Sequence, residues 1–226
     1  MSLHGQLTHL GYGPAAECAD CHGAHDIRRM NNPESRIYRT NVPATCGRCH
    51  EGVMHEFDES VHGQALEGGN PTAPACQDCH TAHDIQRAET ETWRLDVIRE
   101  CGTCHTESIR TYRDTFHGQV TALGFTRVAA CADCHTSHQI FPASDERSSV
   151  APAHLVSTCQ RCHAGANANF VEFDPHADKE NRARNPMLYF TGKFMKNLLL
   201  FVFGFFGLHT ALWFVGEVRE RRRARS

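Results

Sequence analysis

The stretch ECADCHGAHDI, residues 17–27, sets two cysteines and two histidines within eight positions. Close relatives of it open at Cys76 (CQDCHTAHDI) and at Cys131 (CADCHTSHQI). Two thiols three residues apart, an imidazole directly after the second, and a further imidazole three residues on form a set of ligands rather than a core-forming pattern. The rest of the chain is read from this unit outward.

All twelve cysteines obey the first half of the pattern. They are Cys18 and Cys21 before His22, Cys46 and Cys49 before His50, Cys76 and Cys79 before His80, Cys101 and Cys104 before His105, Cys131 and Cys134 before His135, and Cys159 and Cys162 before His163. Cys-x-x-Cys-His is the attachment motif of c-type haem: the thiols form thioethers to the two vinyl groups and the imidazole becomes the proximal iron ligand. Zinc sites, redox dithiols and disulfide frameworks all use paired cysteines, but none requires a histidine after the second cysteine six times in six. The expectation is six covalently bound haem c groups.

Beyond the motifs the chain repeats. His-Gly-Gln occurs at His4, His62 and His117, at spacings of 58 and 55 residues. The same spacings separate the motifs at Cys18, Cys76 and Cys131, each followed by an extra histidine, His25, His83 or His138. The plain motifs at Cys46, Cys101 and Cys159 recur at 55 and 58. Three two-haem repeats follow, at about 4–61, 62–116 and 117–176. Of the seventeen histidines, six are proximal and seven more repeat, counting His176 in FDPHADK where a fourth His-Gly-Gln would fall. Six distal positions and seven candidates predict bis-histidine ligation throughout. An extra histidine beside an occupied proximal ligand is expected to reach a different haem, and His4 is left between a haem of this chain and one outside it. His9, His55 and His154 do not repeat and read as ordinary surface residues.

After two plain motifs, Met54, Phe57 and Val61, and in the same register Ile109, Tyr112 and Phe116, mark one apolar face of a short helix. Gly63 and Gly118 read as its stops, and haem as the surface it packs on. Gly- and Pro-rich stretches such as ALEGGNPTAPA, residues 65–75, read as loops, and no alternating strand pattern appears. The expected fold is mostly irregular with short α-helices, wrapped around six haems that replace a hydrophobic core, over residues 1–187.

A transmembrane α-helix is expected over 188–218. Leu198 to Gly216 carries nineteen residues without a formal charge, about 30 Å of helix, the thickness of a bilayer's hydrocarbon core. Five arginines against two glutamates in residues 217–226 give a basic tail (219–226) expected on the cytoplasmic side of the cell inner membrane. The formal net charge is −3, and with the tail at +3 the remainder stands at −6; nothing here points to a nucleic-acid partner. The haem domain is then periplasmic or otherwise outside, although the N-terminus MSLHGQLTHLGYG has no export-signal pattern. The repeat also opens part-way through, so a signal and a further haem unit are expected upstream. His209 lies inside the apolar span, where an ionisable group is functional by default; it is read as a ligand for a haem b shared with other helices, as a quinone or proton site, or as a hydrogen-bonded residue in helix packing.

These motifs resemble the multihaem c-type cytochromes of anaerobic respiratory chains, with paired Cys-x-x-Cys-His sites and bis-histidine ligation. FGLHTALWF with its following arginines is similar to the first helix of the cytochrome b subunits that anchor respiratory enzymes, a resemblance that touches His209 alone. It implies electron transport between the membrane quinone pool, or a respiratory partner complex with a cytochrome b or quinol-oxidising subunit, and periplasmic redox proteins. Catalytic relatives keep an open haem iron; here every motif keeps its histidine and distal histidines abound, so no catalytic residue is expected. A reductase of a small oxyanion and an extracellular haem filament are the competing readings.

Overall fold

The computed structural model describes residues 2 to 225. Its elements are helical, and no strand occurs among the described residues. In chain order the α-helices are α1 (Leu3–His9), α2 (Cys18–His22), α3 (Val42–Gly47), α4 (Glu51–Glu59), α5 (Val61–Glu67), α6 (Cys76–His80), α7 (Glu91–Cys104), α8 (Thr106–Asp114), α9 (Phe116–Ala122), α10 (Cys131–His135), α11 (Leu155–Gln160) and α12 (Pro186–Arg223). The chain divides into two compact units, Met1–Pro175 and His176–Ser226, so His176 belongs with the second.

The break between α4 and α5 corrects the sequence reading of Gly63 as a helix stop. The helix ends at Ser60, whose extended backbone (ψ 162°) turns the chain. The Ser60 hydroxyl then accepts from the Gly63 amide at 3.1 Å and starts the next helix. Thr115 does the same for Gly118 at 3.1 Å, and Ser2 for Gly5 at 3.2 Å. Each His-Gly-Gln therefore lies in the first turn of a capped helix. Glycine is needed there for close approach: a Cβ on Gly63 would strike the Phe57 carbonyl and come within 2.8 Å of the Asp58 Cα, and one on Gly118 would come within 2.6 Å of the Arg113 Cα. The two helices of each pair cross almost backbone on backbone, which fixes where the His62 and His117 side chains start.

The expected apolar faces are present, and the surfaces they meet are small protein clusters. Phe57 packs on Val42, Leu66, Ala73 and Ala75; Tyr112 joins Ile98 and Ala130, with Ile109 against them. Met54 lies over Gly47, and Ile109 over Gly102, at positions where a Cβ would come within 2.9 Å of the side chain above. Phe116, expected on the same face, is 75% exposed. The rest of the buried apolar set is thin. Six of its eleven members are alanines, with Phe141 the largest besides Tyr112. A unit of 175 residues held by so few large side chains lacks the apolar burial that offsets chain entropy.

The second unit carries α12, 38 residues long and about 57 Å from end to end. It is long and apolar enough to cross a membrane, and none of its apolar stretch is buried. Phe201, Phe203, Phe205, Phe206, Leu208, Leu212 and Phe214 are exposed on all its sides, as suits a helix solvated by lipid. Pro186 occupies its first position, where no backbone donor is missed. Lys196 pairs with Glu180 at 3.0 Å beside one end, and Arg221, Arg222 and Arg223 fill the last turn, where cations favour the helix dipole. Among the described residues α12 is the one candidate membrane-spanning helix.

Candidate haem-binding site

The six motifs adopt two local forms. Those with an extra histidine are five-residue helices, α2, α6 and α10, and the aspartate between the cysteines explains why so short a helix forms. Asp20, Asp78 and Asp133 each accept from the backbone amide of the residue before the first cysteine, at 2.8, 2.7 and 2.8 Å. That closes the first turn on itself. The plain motifs lack the aspartate and instead end longer helices, α3, α7 and α11.

After the capped motifs the chain reverses sharply. Gly23 has φ 79° and ψ 171°; Thr81, at φ 62° and ψ −176°, and Thr136, at φ 67° and ψ 174°, hold the same conformation with a β-branched side chain. That region is essentially reserved for glycine. The reversal throws the extra histidine away from the imidazole three residues earlier.

The histidines then meet across the repeat. His4 faces His50 with ring centroids 6.2 Å apart, His62 faces His105 at 6.0 Å and His117 faces His163 at 6.0 Å. Each His-Gly-Gln histidine is paired with the plain motif of its own repeat. His83 faces His22 at 5.9 Å, and His138 faces His80 at 6.0 Å. Each of these extra histidines is thereby paired with the capped motif of the preceding repeat. The angles between ring planes run from 10° for His22 and His83 to 39° for His62 and His105. His135 and His176 each make a contact as well. His25 joins no other ring among the described residues and is exposed. His9, His55 and His154 enter none of these pairs; His55 lies 3.6 Å from Glu59, and the His154 ring bonds the Glu146 carbonyl at 2.9 Å. His209 is exposed on α12.

Two imidazole nitrogens bound to one metal from opposite sides, each bond about 2 Å, put the ring centroids about 6 Å apart. Loosely stacked aromatic pairs reach similar separations. Register separates the two cases, because all five pairs join one motif histidine to one repeating non-motif histidine and none joins two of a kind. No group of three or more His, Cys, Asp or Glu that could hold a lone metal ion occurs among the described residues. Each of the five pairs offers two facing imidazoles, which would fit a bis-histidine haem that brings its remaining ligands with it.

Electrostatics favour the ligating form. Burial, and then the facing His105, push the His62 imidazole below its ordinary value. Burial followed by His138 and His50 does so for His80, and burial followed by His163 for His117. These rings are neutral near pH 7, with a lone pair to donate. Glu56 stands 3.7 Å from Nδ1 of His138, which would leave Nε2 to hold a metal.

Neighbouring motifs are close throughout. Cys21 lies near enough to Cys46 to be raised by it; Cys46 accepts a hydrogen bond from Cys76, which takes its thiol down to about 7. Burial, then Cys101, holds Cys79 up at about 11. Cys101 is raised by its bond to Cys131, and Cys134 by burial and then by Cys159. The six motifs thus form one unbroken succession in sequence order. Arg48 clips the first two together by donating to the Asp20 carbonyl at 3.1 Å, and Arg161 clips the last two through the Asp133 carbonyl. Arg39 and Arg94 bridge to Asp78 at 2.9 Å and Asp133 at 3.1 Å. Sequence reasoning passed over these arginines and capping aspartates, although the aspartate recurs in all three capped motifs. It also missed Trp93, which stacks on His80 at 5.4 Å.

Comparison with protein-family models, with curated proteins and with solved structures finds no match.

Proposed function

We propose that the chain is a membrane-anchored hexahaem c-type cytochrome, which passes electrons one at a time between the quinone pool or a respiratory partner complex and redox proteins outside the cytoplasm. The observation that carries this reading is the set of five histidine pairs, three within a repeat and two between repeats, each at a separation that two ligands of one iron would have. Bound haem supplies one-electron chemistry, ferric to ferrous, with little rearrangement.

The remaining work falls to the chain. Its twelve cysteines would tether the groups, each motif histidine would ligate one of them, and His4, His62, His83, His117 and His138 would give five of them a second ligand, the sixth being drawn from the remaining repeating histidines of the sequence. Because the capped motifs take their second ligand from the following repeat, each ligand also ties one repeat to the next. Neighbouring groups are thereby held in sequence order, each within the short reach set by the contacts between motif thiols. The haems also provide the apolar core that the alanine-rich interior lacks, so folding and loading are one process.

With two histidines to each iron, an oxyanion would have no iron to bind, and the protein would be a conductor rather than a reductase. The arginine tail supports a cytoplasmic C-terminus, which would put the haem-bearing repeats outside the cytoplasm. His209, on the lipid-facing helix, is a ligand offered to a b-type haem shared with neighbouring helices.

The test is electron delivery in proteoliposomes. The haem-loaded chain, reconstituted with a quinol-oxidising partner, should reduce an external soluble acceptor when quinol is supplied, and should not turn over nitrite or hydroxylamine. Turnover of either compound without an external acceptor would overturn the reading.

A further inference from the structure

The succession of repeats has a docking rule, visible twice. Where the second repeat meets the first, the His83 imidazole faces His22, and the Ile85 carbonyl accepts from the Leu3 amide at 2.7 Å. Where the third meets the second, His138 faces His80, and the Ile140 carbonyl accepts from the Val61 amide at 2.9 Å. Leu3 and Val61 each directly precede the histidine of a His-Gly-Gln, at the open N-terminus of its helix. The segment His-x-Ile is thus a two-point plug: the imidazole takes a partner's motif histidine and, two residues on, the carbonyl takes the first free amide of the partner's helix.

The first repeat carries the same plug with nothing in it. His25 stands where His83 and His138 stand and joins no ring among the described residues. Ile27, matching the half-buried Ile85 and Ile140, is 66% exposed, and Met30 beside it is 72% exposed. The backbone before it makes the same reversal at Gly23 as at Thr81 and Thr136. The turn is formed and the ligand is presented, on a face that is apolar and uncovered.

Resting on the haem-binding reading above, we infer that His25, with Ile27 and Met30, is a docking face for a haem-bearing repeat unit other than the three of this chain, and that His25 supplies the sixth ligand to that unit's iron. The occupant is defined by what the two internal junctions contain. It has a Cys-x-x-Cys-His haem whose distal position is open, and beside it a His-Gly-Gln helix with a free first amide. Electrons would then enter or leave the succession through the haem nearest His25.

The probe is a c-type haem peptide with a single Cys-x-x-Cys-His sequence and a vacant sixth position, titrated into the exported, haem-loaded chain. The inference expects the peptide's high-spin bands to convert to low-spin with one equivalent bound. His25→Ala should weaken binding by about 10-fold or more, while His9→Ala and His55→Ala bind as the parent does. Ile27→Ser should weaken it without changing the spectrum of the bound state. Equal binding by His25→Ala and the parent would overturn the inference, as would His25-dependent self-association of the chain. So would a new high-spin fraction among the six resident haems of His25→Ala, since His25 would then be ligating within its own chain. The resident haem count and spin state are read in the same spectra before any peptide is added. Failure of the underlying reading would therefore be seen separately.

Discussion

His22 and His83, 61 positions apart in the sequence, face each other with ring centroids 5.9 Å apart and planes within 10°. No stretch of regular structure connects them directly. They are brought together because His83 follows the reversal at Thr81 and because the Ile85 carbonyl is held by the Leu3 amide. If one iron lies between the rings, His83→Ala opens that iron and no other. One of the six haems should turn high-spin and bind carbon monoxide, with five unchanged. His83→Met should stay low-spin and shift one midpoint potential upward, as a thioether in place of imidazole does. Optical titration with carbon monoxide and a spectroelectrochemical titration read the two outcomes.

His4 lies 6.2 Å from His50, so on the proposed reading the two would share one haem of this chain. His4→Ala should therefore also produce a single high-spin haem. In the double variant His4→Ala/His83→Ala two haems should be high-spin, because the pairs lie on different motifs.

Gly63 separates packing from ligation. A methyl group there strikes the preceding helix, so Gly63→Ala should lower unfolding stability by about 1–3 kcal/mol, a typical cost of overpacking. It should also displace His62 from His105, measured as a partial high-spin signal alongside a lower thermal midpoint. Gly68→Ala, at the end of the same helix, has a Cβ position 3.1 Å from the Gln64 carbonyl oxygen and should leave the spin state untouched.

Thr81 sits in a backbone region that costs a non-glycine residue about 1–3 kcal/mol, and glycine's own loss of chain freedom is about 1 kcal/mol. Thr81→Gly should then be as stable as the parent or more so, and clearly more stable than Thr81→Ala, which keeps the strain. Chemical denaturation of the two variants checks the ordering. Thr136 should behave alike, less the contribution of its hydroxyl bond to the Gln139 carbonyl at 2.7 Å.

What was legible in the sequence was whatever is encoded by neighbours. The motifs, the candidate distal histidines, the strand-free helical character and the long apolar helix could all be read from spacing and composition. The pairing of His83 with His22 and of His138 with His80 could not, because it depends on how one repeat docks on the next. Seven candidates for six positions left a surplus; in the structure His4, His62, His83, His117 and His138 stand in ring pairs and His25 stands outside them. Gly63 was misread because glycine after an apolar run suggests an ending. The hydroxyl at Ser2, Ser60 and Thr115, always three residues before that glycine, was the available sign that a helix begins there. The small clusters around Phe57 and Tyr112 were out of reach because their members, among them Ala73, Ala75 and Ala130, show no periodicity of their own.

The most direct test of the account is the optical and electron paramagnetic resonance spectrum of the haem-loaded, detergent-purified protein, with a haem count by pyridine haemochrome. The account predicts six c-type haems per chain, all low-spin, none binding carbon monoxide or cyanide. Fewer than six haems, or a high-spin haem in the unaltered protein, would contradict it.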